Sequence, residues 1–69
     1  MSKIDEIYAN VLPEMAAQGI EDTTANRLAF LQGVRDAWME DDSKSFEKSL
    51  YMMAISTEIF KLSLRMIRV

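Results

Sequence analysis

Four carboxylates crowd one short stretch of the chain, Asp36, Glu40, Asp41 and Asp42, and acids placed close together can share the roles of general acid and general base. That work needs a cleft to push their pKa values apart. Neither a glycine-rich loop nor a cleft-forming strand is legible nearby. The stretch can also be tried as a calcium loop, because Asp36 at the first position places Glu47 at the twelfth. Trp38 then occupies a ligand position and Asp41 replaces the glycine that the turn needs. The match is poor. These acids read as a solvated corner between two helices, with cap residues among them.

Other reaction chemistry lacks its groups. With no His and no Cys in 69 residues, the usual triads, metal-activated waters and zinc sites have neither bases nor ligands. The only glycines, Gly19 and Gly33, are too far apart to cradle a phosphate. The expectation is a protein that is not an enzyme, with no catalytic residue, no metal and no cofactor. The absence of Cys suits a reducing compartment. Neither a secretory signal nor a membrane span is readable, so the chain reads as soluble and cytoplasmic.

Binding chemistry is better supplied. Trp38, flanked on a helical wheel by Arg27 and Arg35, has the composition of an interface hot spot. The same trio suits the largest core residue of a small bundle with arginines laid over it. Lys61, Arg65 and Arg68 form a basic strip beside Glu58. Favourable placement at the negative end of a helix dipole accounts for that strip. Three charges in a chain of net charge −3 argue against a nucleic-acid partner. The polar arc is also too narrow for a helix that lies on a membrane. The charge is uneven, −6 over residues 1–42 and +3 over residues 43–69, which can orient two copies head to tail or belong to an ordinary solvated surface.

Three helices are needed to position these groups, at about 3–18, 23–40 and 44–67, within one helical domain spanning 1–69. Ser2 caps the first, and Ile4, Ile7, Tyr8, Val11, Leu12 and Met15 share one stripe of it. Pro13 falls on the opposite side, where it kinks or breaks the helix. Gly19 ends it, with Ile20 folding back. Asp22 or Thr23 caps the second helix, whose ridge is Leu28, Leu31, Val34 and Trp38. Gly33 there marks either simple tolerance or the close approach of another helix. Asp42 or Ser43 caps the third.

The third helix is apolar on two faces. Phe46, Leu50, Met53, Thr57, Phe60, Leu64 and Ile67 alternate spacings of four and three. Met52, Ile55, Ile59, Leu62, Met66 and Val69 form a second stripe. At about 100° per residue, apolar and small side chains cover roughly 240° of the circumference. Phe60 to Met66 also alternates in the manner of a strand, but continuity with the upstream stripes favours helix. Which stripe faces inward is not legible. A domain this small buries only about 60% of its unfolded surface, yet 49% of its residues are hydrophobic.

The expected fold is therefore an all-α, three-helix small domain whose long, doubly apolar C-terminal helix pairs into a helical-bundle dimer. The expected function is that of a small protein-interaction module, an inhibitor, adaptor or regulator. A self-assembling structural subunit is the alternative, followed by a membrane or nucleic-acid module. Trp38, Arg27, Arg35 and both stripes (Met53, Phe60, Leu64 and Ile67; Ile55, Ile59, Leu62 and Met66) are the candidate interface. The expected partners are another protein of unspecified identity and a second copy of the chain. No family signature is legible: neither an acyl-carrier attachment motif nor the turn and recognition face of a helix-turn-helix DNA reader is present.

Overall fold

Within residues 2–41 and 45–67, which this computed structural model describes, each of three helices opens on a hydroxyl side chain. Helix α1 is Lys3–Ala17, α2 is Thr24–Glu40 and α3 is Phe46–Ile67. Ser2 Oγ accepts from the Asp5 amide at 3.3 Å, Thr23 Oγ1 from Asn26 at 3.1 Å, and Ser45 Oγ from Lys48 at 3.0 Å. Each bond satisfies an amide of the first turn that has no carbonyl four residues behind it. The start of α3 is thus two residues later than expected, with Ser45 as the cap. The expected cap residues Asp42 and Ser43 lie outside the described residues, as do Arg68 and Val69.

Helix α1 runs through Pro13 without a break. Pro13 and Ala9 are both exposed, so the carbonyl that loses its donor can turn to water. The helix ends in a tight reversal. Gly19 adopts φ +73°, its amide bonds to the Ala16 carbonyl at 3.1 Å, and the Ile20 amide reaches back to Met15 at 2.9 Å. A side chain at Gly19 would be strained in that left-handed conformation. Half-buried Ile20 then packs onto the core.

Gly33, by contrast, faces open space, since a Cβ built there meets nothing within 4 Å. Close approach of another helix of this chain does not explain it; tolerance does. The stretch 60–66, which alternates in sequence like a strand, is helix throughout. The described residues contain no strand, and no described helix is long and apolar enough to cross a membrane.

The core draws Ile7, Val11 and Met15 from α1, Leu31 from α2, and Ile55, Ile59 and Leu62 from α3. Helix α3 packs against both of the others, whereas α1 and α2 touch each other least. The core-facing side of α3 is the one that carries Ile55, Ile59 and Leu62. Two reciprocal hydrogen bonds fix α1 along α3. The Tyr8 hydroxyl of α1 donates to Glu58 Oε2 at 2.5 Å, and the Tyr51 hydroxyl of α3 donates to Glu6 Oε2 at 2.7 Å. The Tyr8 phenol is pushed up to about 12, first by burial and then by Glu58, against a smaller opposing effect of Arg27. Tyr51 is raised in the same direction, chiefly by its bond to Glu6.

This core leaves much of the chain outside. Met39, Phe46, Met53, Phe60, Leu64, Met66 and Ile67 all stay exposed.

Candidate protein-interaction surface

An α-helix turns about 100° per residue, so two stripes offset by half a turn cannot both meet the same pair of neighbours. In α3 the inward stripe is the one containing Ile55, Ile59 and Leu62, each no more than 7% exposed. Met52 on that stripe is half-buried, and Met66 emerges where α3 outruns its cover. The other stripe points to solvent. Its large side chains range from 42% exposed at Leu64 to 81% at Phe46, with Met53, Phe60 and Ile67 between. Leu50 is half-buried. Met39 of α2 is also exposed and shares an open cleft of about 650 Å³ with Phe46, Trp38 and Met52.

Three of the hydroxyls along the outward stripe and its flank are already satisfied. Thr57 Oγ1 donates to the Met53 carbonyl at 2.9 Å, Ser63 Oγ to Ile59 at 2.8 Å, and Ser49 Oγ to Ser45 at 3.3 Å. Covering these hydroxyls leaves no donor without an acceptor, which removes the main penalty for burying them. Glu47 and Lys61 flank the stripe on the α1 side and are exposed. Neither forms an ion pair with another described residue.

The trio around Trp38 is not assembled as expected. Arg27 is held near the other end of α2, where its guanidinium chelates Asp22 (Nη2 to Oδ2, 2.8 Å) and lies over the Tyr8 ring at 4.9 Å. That chelation lowers the Asp22 carboxyl and raises the already high Arg27 pKa, hydrogen bonding being the leading cause of both. Arg35 sits 3.7 Å from Asp36, and its Nε is buried without a hydrogen-bond partner. Trp38 is half-buried and meets the Tyr51 ring edge-on, centroids 6.2 Å apart. It belongs to the α2–α3 packing.

Of the candidate residues, Met53, Phe60, Leu64 and Ile67 therefore share one exposed face. Met66 is exposed on the other stripe. Ile55, Ile59 and Leu62 are withdrawn into the core and are not offered to a partner. Phe46 and Met39 complete the exposed apolar set, outside the interface residues expected from the sequence. Phe46 stood on the correct stripe, but nothing in one sequence shows that Met39 stands beside it.

The acidic corner places Asp36 inside α2 and Asp41 at its C-cap. Lys48 donates to the Asp41 carbonyl at 2.8 Å, with its carboxylate 3.7 Å away. Comparison with protein-family models, with curated proteins and with solved structures found no match to this chain.

Proposed function

We propose that this protein is a small, non-enzymatic interaction module, an inhibitor, adaptor or regulator, that pairs through the outward face of α3 and assembles as a homodimer. The observation that carries this reading is the row of exposed Phe, Met, Leu and Ile side chains along a helix of 22 residues. Single exposed apolar residues need no explanation, but a contiguous row of this kind marks an association surface. The lack of His and Cys supports a role without catalysis and fits a cytoplasmic setting.

Light scattering across a dilution series tests the reading, with wild type beside Leu64→Glu. The substitution puts a charge on the outward face, where burial without a counter-charge is costly. Wild type is expected to be a dimer and Leu64→Glu a folded monomer with unchanged helical circular dichroism. A wild type that stays monomeric at every concentration would overturn self-pairing. Added salt is expected to leave the dimer intact, because apolar contact is not screened. A steep loss with salt would instead favour the basic residues Lys61 and Arg65 as the working surface.

A further inference from the structure

We infer that the outward face of α3 is covered by a second copy of this chain whose α3 runs antiparallel, about a two-fold axis beside residue 55; this rests on the interaction reading above and specifies its partner and geometry. The outward stripe repeats at alternating spacings of four and three, the pattern that lets two helices interlock side chain into gap. With the axis at residue 55, Phe46 lies across from Leu64 of the second copy, Leu50 from Phe60, and Met53 from Thr57. Every apolar residue of the stripe between Phe46 and Leu64 then has a partner.

Charge selects this arrangement. Glu47 and Lys61 flank the stripe on the same side of α3, 14 positions apart, which is about 21 Å along a helix. Antiparallel pairing about residue 55 carries Glu47 of each copy to Lys61 of the other, giving two acid–base pairs. In a parallel pair those charges stay about 21 Å apart and the two helix dipoles align unfavourably. The opposite flank carries only serines, Ser49, Ser56 and Ser63, and short side chains there allow the helix axes to come close. The hydroxyls of Thr57, Ser49 and Ser63 are bonded within their own helix, so the seam closes over them without stranding a donor, and Ser56, beside the axis, has Ser56 of the second copy across from it. A two-fold arrangement also uses the same patch on both subunits and stops at a dimer.

The natural chain has no Cys, so single engineered thiols report the geometry cleanly. Phe46→Cys and Leu64→Cys proteins, each shown to be folded, are oxidised separately and as an equimolar mixture. The expected result is a covalent dimer in the mixture only, because each thiol lies roughly 27 Å from its own copy in the antiparallel pair. Covalent dimers in each separate sample, with none formed between the two variants, mean a parallel seam and overturn the proposal while leaving the interaction reading in place. A wild-type protein that is monomeric by light scattering overturns both. Charge reversal gives a second, independent readout. Glu47→Lys and Lys61→Glu are each expected to raise the dimer dissociation constant about two- to five-fold, and the double variant to return it near the wild-type value. A double variant that is weaker than either single one removes the Glu47–Lys61 pairing and with it the register.

Discussion

The inner and outer stripes of α3 run along one helix, from the same few residue types, at the same repeating spacings, and the fold treats them oppositely. Ile55, Ile59 and Leu62 are sealed between α1 and α2, while Phe60, Leu64 and Ile67, only a few residues away, stand in solvent. Hydrophobicity does not separate the two, since the outer stripe carries the larger side chains. The difference lies in what surrounds them. Two short helices shelter roughly one half of a third, and the remaining half has no cover within this chain. The inner stripe therefore answers to packing, while nothing else in this chain constrains the outer one.

The largest effect that can break this contrast is truncation. Ile55→Ala or Leu62→Ala is expected to cost about 2–5 kcal/mol, from lost transfer energy plus the cavity left behind. Leu64→Ala on the outer stripe is expected to cost less than about 1 kcal/mol in dilute, monomeric protein. Urea unfolding at low concentration measures both, and equal losses would erase the distinction between the stripes.

A smaller effect sharpens the boundary between them. Tyr8 and Glu58 close the α1 edge of the inner face, and Tyr8→Phe is expected to cost about 1 kcal/mol. Its pH dependence has a definite sign. The folded phenol is pushed up to about 12, above the value near 10 of an unfolded tyrosine, so the native state holds the proton more tightly. The resulting stabilisation is complete below pH 10 and is lost as pH rises from 10 toward 12. Urea midpoints across that window should fall more steeply for wild type than for Tyr8→Phe. Parallel slopes would show that the Tyr8–Glu58 bond does not couple to folding.

The smallest effect probes an outward position where packing has no say. Gly33→Ala, with open space around the new methyl group, is expected to stabilise the protein by about 0.5–1 kcal/mol through helix propensity alone. A loss of stability in thermal unfolding would mean that a neighbour approaches α2 there after all.

Much of this fold is legible before any coordinates. Ser2 announces one helix start and the pair Asp22–Thr23 another, because a side-chain oxygen before an apolar run can take an orphan amide. Gly19 followed by Ile20 announces an end because only glycine enters the left-handed turn without strain. Other features resist a local reading. Ser45 does not stand out from Asp42 and Ser43, because all three offer the same capping chemistry within four positions. Arg27 was grouped with Trp38 because a wheel keeps angle and discards height; the two lie 11 residues apart, about 16 Å along the axis. The reciprocal bonds between Tyr8 and Glu58, and between Tyr51 and Glu6, join residues 50 and 45 positions apart, and no periodicity links them.

By itself the sequence determined three helices, the capping chemistry at the start of the first two, and a third helix with more apolar surface than two neighbours can cover, since these follow from spacing, side-chain chemistry and chain length. Only the tertiary structure decided which stripe of α3 turns inward and which apolar residues are left exposed. The physical reason is that both stripes satisfy the local rules of a helix equally well. The choice between them depends on how α1 and α2 dock, and on tyrosine–glutamate bonds that exist only once distant parts of the chain have met.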